Sequence, residues 1–237
     1  MYLVGAKKAL PIVLGYIPIG FAYGVLAREV GLNLIETVMM SVLVYAGSAQ
    51  FIGVELFGRG AEPFSIITTT FLVNLRHLLM SASLSVNFKK FPGKILPVAA
   101  FGITDETYAV NSVEFKNYER DEKFVLGLQF TSHSAWILGS VAGAYFHQLV
   151  PDTKALGFDF ILYAMFIFLL TIQLNNFRLI QIALISAFFA LVFNVFFPDN
   201  NWYIMASTII AATIGLIMEN NQNTQTDDED SKINRDN

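Results

Sequence analysis

Asn74, Leu75, Arg76 and His77 put a guanidinium and an imidazole in the middle of an otherwise apolar run at residues 64–86. A guanidinium can grip a carboxylate through two parallel hydrogen bonds, and an imidazole can pass a proton near neutral pH. The run is long enough to cross a bilayer as a helix, for which ~20 apolar residues suffice. An arginine at mid-span costs at least ~2.5–3.5 kcal/mol on insertion scales unless it meets a partner or a water-filled cavity. Arg76 is therefore expected to face protein or water. On a helix Thr70, Asn74, His77, Ser81 and Ser85 form one polar stripe, while Thr69, Arg76 and Ser83 fall on another face. A span with two polar faces has to be enclosed by other helices. Two readings stand: Arg76 lies at a translocation path, or it is a strut paired with a carboxylate while the hydroxyls bond back to their own helix.

Other residues of chemical interest sit in neighbouring segments. Asp105 and Glu106 supply acid within 95–113, where Thr104, Thr107, Tyr108 and Asn111 share a helical face with Asp105 at its edge. Ser48 and Gln50 lie in Tyr45-Ala-Gly-Ser-Ala-Gln-Phe51, whose small residues permit close helix approach. Gln129, His133, Trp136, Ser140 and His147 line one stripe of the span at 124–149. His77, Glu106 and His133 are the candidates for a proton relay, with a buried neutral histidine as the simpler alternative for each imidazole. Pro18 and Gly20 fall inside 9–27 and are expected to kink or interrupt it, freeing backbone groups for a ligand.

The elements that hold these residues are read from hydropathy. Of the 237 residues 54% are hydrophobic and 14% charged, against about 25% charged in soluble domains. The charges are clumped between long apolar runs, the arrangement of an all-α polytopic membrane protein. Eight segments emerge: 9–27, 34–57, 64–86, 95–113, 124–149, and about 158–174, 178–197 and 202–218. The segment 34–57 reads as a clean span and the last three as lipid-facing. Residues 1–218 form one membrane domain, and the acidic tail 219–237 is expected to be disordered. The first run is not read as a cleaved signal, because it lacks a small-residue cleavage site and carries two prolines. The chain has no cysteine, so thiolate and disulfide chemistry are excluded. No cofactor, metal site or nucleic-acid partner is expected.

Eight plain crossings would put Lys89, Lys90 and Lys94 outside, against the positive-inside tendency. If 9–27 and 95–113 dip in and return, those lysines join Lys7, Lys8, Arg28, Lys116, Arg120, Lys123 and Arg178 inside, leaving Arg59 and Lys154 outside. The expectation is thus about six full spans plus two re-entrant segments, with both termini cytoplasmic. A faint repeat sets Pro11 on Pro97 and Ser48-Ala49-x-x-x-Gly53 on Ser134-Ala135-x-x-x-Gly139, pairing a broken segment with a following span in each half.

An ordered set of motifs completes the reading. Pro18-Ile-Gly-Phe-Ala-Tyr-Gly24, Tyr45–Phe51, Asn74–His77, Thr104-Asp-Glu-x-Tyr108, Trp136-x-x-Gly139 and Leu156-Gly-Phe-Asp-Phe160 follow in this order. With this length and hydropathy, the chain resembles the AzlC family of branched-chain amino-acid exporter subunits from about residue 5 to residue 217. The resemblance implies export of leucine, isoleucine, valine and analogues such as azaleucine across a prokaryotic cell membrane, with a small four-span subunit of the AzlD type. It carries over no settled binding residues.

A zwitterionic amino acid needs a cation or helix N-terminus for its carboxylate and acceptors for its ammonium. Pro18, Gly20, Ser48, Gln50, Asn74, Arg76, Asp105 and Tyr108 are the candidate path residues on that basis. Whether Arg76 binds substrate or pairs with Asp105 stays open. A primary pump lacks its phosphate loop here. Use of the proton motive force is the expected drive. An intramembrane enzyme built on Asp105, His77 and Ser81, or a non-transporting assembly subunit, are the alternatives.

Overall fold

The computed structural model describes residues 1–150, 152–174, 177–196, 207, 209–211 and 213–215. Regular structure among them is entirely helical. The tail 219–237, Arg178's side chain and most of 202–218 lie outside the described residues. Two compact units divide the chain, Met1–Ile167 and Phe168–Asn237.

In the first unit, α1 (Tyr2–Lys8) continues through a helical Ala9 into α2 (Leu10–Glu29). The expected interruption at Pro18 does not occur: α2 is one 20-residue helix, ~30 Å long at 1.5 Å per residue. Pro18 still deletes one backbone hydrogen bond. It sits on an exposed face, however, and the opposite face is fixed along its length to α8 (Glu122–Phe146). Glycines make that seam. A Cβ at Gly20 would lie 2.9 Å from the Trp136 carbonyl oxygen, and one at Gly139 would lie 2.6 Å from that of Ile17. Gly24 packs on the Ser140 carbonyl and Gly143 on that of Phe21. Gly20-x-x-x-Gly24 therefore faces Gly139-x-x-x-Gly143, the small-residue spacing that lets two helix backbones touch. Contacts advance together along both helices, so α2 and α8 run parallel.

The segment expected to be a clean span is instead split. α3 (Leu34–Leu43) starts at an Asn33/Glu36 capping box, and α4 (Gly47–Gly58) starts afresh after Val44–Ala46. The two arms fold back on each other. Gln50 Nε2 donates to Ser41 Oγ across them at 3.1 Å, the Met40 methyl lies against Gly53, and Gly58 ends beside Val30, close to where α3 began. This is a hairpin with its tip at Tyr45 and Ala46.

Past α5 (Pro63–Phe88), α6 (Leu96–Phe101) and α7 (Asp105–Asn117) form a second hairpin. The rings of Phe91 and Phe115, at its two open ends, are 6.4 Å apart, and Phe88 stacks on Phe91 at 4.9 Å. Its tip, Gly102–Thr104, reaches the middle of α5. Glu114, near the open end of this hairpin, takes Lys8 Nζ at 2.7 Å and Arg120 Nε at 2.9 Å. The start of the chain and the α7–α8 turn thus share one end of the unit with Lys89 and Lys90. Arg28 and Arg59 lie at the other, so Arg28 is displaced from the side the basic-residue count assigned it. The pairing of segments in the proposed repeat also fails, because α2 is continuous where the repeat needs a break and 34–58 is broken where it needs a span.

Two helices among the described residues are long and apolar enough to cross a membrane by length and composition, Leu10–Glu29 and Leu179–Phe196. α5 has the length, but its hydroxyls, Asn74, Arg76 and His77 dilute its apolarity. α9 (Ile161–Gln173) opens at the end of the first unit, where Ile161 packs on the core. In the second unit, α10 (Phe177–Phe196) exposes Leu184, Phe188, Leu191 and Val195, and its Ile182 meets Gly215.

Candidate functional site

Every helix break has a cost: the carbonyls before it and the N–H groups after it lose their helical partners. In this unit α8 absorbs the carbonyl side of both breaks. The Ser41 carbonyl at the end of α3 accepts His133 Nε2–H at 3.0 Å. At the end of α6 the Ala99 carbonyl accepts Gln129 Nε2–H at 2.7 Å. Gln129 and His133 are one turn apart on the stripe expected from the sequence. The same stripe continues upward: Trp136 Nε1 donates to Gln50 Oε1 at 3.0 Å, and Ser41 Oγ donates to Ser140 Oγ at 2.8 Å. Ser140 and Gln50 are fully buried, so this network fixes the first hairpin against α8.

The two tips meet at a pocket. Tyr45, Ala46, Gly47 and Ser48 enter from the first hairpin and Thr104, Asp105 and Glu106 from the second. Tyr16 and Ile19 of α2, Arg76 and His77 of α5, Trp136 of α8 and Met165 of α9 close it. Arg76 joins the tips. Its Nη1 pairs with Asp105 Oδ2 at 2.9 Å, and its Nη2 donates to Ser48 Oγ. Tyr16 Oη donates to Glu106 Oε2 at 2.6 Å and lies 2.7 Å from Thr104 Oγ1. The cavity they enclose is small, about 20 Å³. That admits a water molecule, and a larger solute enters only if the surrounding elements part.

The N–H sides of the breaks differ. In α7 Thr104 and Thr107 cap reciprocally, with Thr104 N–H donating to Thr107 Oγ1 at 2.8 Å and Thr107 N–H to Thr104 Oγ1 at 3.3 Å. Asp105 and Glu106 add two carboxyl groups to its first turn. In α4 the cap residue is Ala46, with no side-chain acceptor, and the first helical bond is Gln50 N–H to the Ala46 carbonyl. The N–H groups of Gly47, Ser48 and Ala49 point out of the helix end without a cap.

Of the residues singled out from sequence, Ser48, Arg76, His77, Asp105 and Glu106 line this pocket. Gln50 lies behind it in the Trp136 network. His133 is occupied with the Ser41 carbonyl, its ring 4.0 Å from that of Tyr45. Tyr108 Oη is 3.1 Å from Ser83 Oγ, and His77 Nδ1–H donates to the Asn74 carbonyl at 3.2 Å. Thr70 and Ser85 bond back to the carbonyls of Ile66 and Ala82, the plain role weighed for such hydroxyls. Pro18 and Gly20 are not at the pocket: Gly20 is a seam residue, and the unbroken α2 offers no free backbone groups there. Sequence reasoning missed Tyr16, Tyr45, Ala46 and Thr104 as wall residues. The Thr104-x-x-Thr107 spacing was the available signal for one tip; nothing comparable marks the other.

The family model described as AzlC protein matches residues 11–150. An uncharacterized membrane protein of Archaeoglobus fulgidus is 37% identical over 60% of this chain and 61% of its own. The inner membrane protein YgaZ of Escherichia coli is 33% identical over 61% and 60%. The branched-chain amino acid transport protein AzlC of Bacillus subtilis is 28% identical over 67% and 62%. The matches thus span about three fifths of the length of these relatives. No solved structure matches the chain. Matched by the family model over more than half of its residues, and related to proteins named for the membrane, the chain is a membrane protein that belongs to the AzlC family.

Proposed function

We propose that this chain is a transport subunit that exports branched-chain amino acids across a prokaryotic cell membrane. It draws on the proton motive force and works with a small four-span partner of the AzlD type. The observation that carries the reading is the joining of two helix breaks by a single arginine. Half-helices whose N-termini converge inside the bundle are how membrane transporters build a solute site without a soluble domain. The Bacillus subtilis relative, named for branched-chain amino acid transport, supports the choice of solute.

In this reading α2, α5 and α8 cross the bilayer, and the hairpins 34–58 and 96–117 enter it from opposite faces. Three later segments complete about six full spans. Lys7, Lys8, Lys89, Lys90, Lys94, Lys116, Arg120 and Lys123 then face the cytoplasm, in keeping with the positive-inside rule. His77 and Glu106 at the pocket are the groups available to couple a proton.

The test is counterflow of labelled leucine in proteoliposomes holding this chain, with and without the small partner and with an imposed proton gradient. Saturable leucine exchange, accelerated by the gradient, is the expected result. No exchange in any arrangement would overturn the reading.

A further inference from the structure

We propose that the pocket grips an α-amino acid by both ends of its head group. The carboxylate sits on the uncapped N-terminus of α4 and the Tyr45 hydroxyl, and the ammonium sits on Glu106. This rests on the pocket being the solute path and fixes the orientation of the solute within it.

Four observations carry the polarity. First, α4 has twelve residues, and its first N–H groups have neither a side-chain cap nor a helical acceptor. A helix N-terminus of this kind presents roughly half a positive charge and several aligned donors to an anion. Second, Tyr45 is 3% exposed and lines the pocket, yet its hydroxyl has no hydrogen-bond partner. The polar groups it faces are the Tyr16 hydroxyl and the Glu106 carboxylate. A buried hydroxyl is rarely left unpaired, and a carboxylate oxygen entering this pocket, which Gly47 and Ser48 also line, would supply its acceptor. Tyr45 is also held at φ 44°, a left-handed backbone uncommon for a tyrosine, with its ring against His133. Third, the opposite wall is closed to anions. The α7 terminus is already capped by threonines, and Asp105 and Glu106 stand on it. Fourth, Asp105 is engaged by Arg76, whereas Glu106 meets only the Tyr16 hydroxyl, so its carboxylate retains free acceptor sites for an ammonium. Arg76 spends Nη1 on Asp105 and Nη2 on Ser48, so it is committed to joining the two walls rather than to the solute, and only its Nε lacks an acceptor.

Truncated ligands separate the two ends. Leucinamide keeps the ammonium and loses the carboxylate; α-hydroxyisocaproate keeps the carboxylate and loses the ammonium. Binding of both and of leucine is measured on the purified full-length chain, as wild type, Tyr45→Phe and Glu106→Gln. Loss of one hydrogen bond to a charged group should weaken binding at least about tenfold. Tyr45→Phe is expected to weaken leucine and α-hydroxyisocaproate and to leave leucinamide unchanged. Glu106→Gln should weaken leucine and leucinamide and spare α-hydroxyisocaproate. If either variant affects the two truncated ligands equally, or the pattern is reversed, the orientation is wrong. Should one variant fail to fold, the other carries the same test alone.

Failure of the transport reading looks different. A wild type that ignores leucine, isoleucine and valine but binds another α-amino acid with the same split refutes the solute and keeps the orientation. Leucine binding without the split keeps the solute and refutes the orientation. No binding of any α-amino acid overturns both.

Discussion

The hairpins at 34–58 and 96–117 are built alike and finished differently. Each has two helical arms, a tip beside Arg76, and a last carbonyl handed to a side chain of α8, His133 for one and Gln129 for the other. The difference lies in the helix that leaves the tip. α7 begins with reciprocal threonine caps and two carboxyl groups, while α4 begins with alanine and glycine. The first choice satisfies the helix end internally and makes it acidic; the second leaves it unsatisfied and positive. Equivalent scaffolding thus yields two walls of opposite character, which a zwitterion can bridge. In the proposed binding mode stability and binding are separated in space: α8 repairs the breaks from behind, and the tips are left free to differ.

The largest expected effect tests whether the hairpins oppose each other at all. The chain has no cysteine, so single cysteines at Arg59 and Lys90 can be labelled in intact cells with an impermeant thiol reagent. Position 59 should label from outside, and position 90 only after permeabilisation. Labelling of both from one side would dismantle the comparison.

Next in size is the bridge between the tips. Breaking a fully buried ion pair costs ~3–5 kcal/mol, and a somewhat smaller loss, about 2–3 kcal/mol, is expected for Arg76→Ala. The discount reflects side chains that remain 25% and 20% exposed. Melting in detergent should fall for Arg76→Ala and for Asp105→Ala, and recover in part in the double variant, because no charge is then stranded. Strictly additive losses would mean that the pair does not couple the tips.

The repair from α8 is a smaller quantity. Gln129→Leu and His133→Leu each leave a carbonyl unpaired, at about 1–3 kcal/mol. Gln129 should cost more, since it is buried and His133 only half-buried. Equal melting of wild type and both variants would remove α8 from this role.

The caps come last and have opposite signs. Thr104→Ala should destabilise by ~1 kcal/mol through loss of a helix cap. Ala46→Ser supplies the missing cap to α4 and should raise stability by a few tenths to ~1 kcal/mol, read as a higher melting temperature. Its hydroxyl then competes for the same N–H groups, so leucine affinity should drop as stability rises. A stabilised variant with unchanged affinity would show that the bare α4 terminus is not used.

Much of this was legible in the chain. Arg76 at mid-run demanded a partner or a water-filled path, because a charge inside an apolar segment has few ways to be tolerated; the pair with Asp105 was one of two readings left open, and the structure forms it. The α8 stripe from Gln129 to Ser140 also read correctly, since helical periodicity places side chains on faces whatever they touch. The breaks did not read as well. Pro18 was the strongest local breaker, yet α2 runs through it: one missing hydrogen bond is outweighed by a glycine seam that holds both halves of the helix to α8. That seam stands in the chain as two Gly-x-x-x-Gly spacings, but Gly20 was read instead as a point of interruption. Val44-Tyr45-Ala46 contains neither proline nor a turn glycine, yet the helix stops there. What holds the break is the Tyr45 ring against His133 and the Ser41 carbonyl accepting that imidazole's N–H, contacts made by a residue remote in sequence. Sequence by itself determined the helical class and the residues too polar for lipid, because those follow from composition and period along the chain. Only the tertiary structure decided which segments turn back and which terminus is left bare, because a broken helix survives only where distant side chains accept the groups it frees.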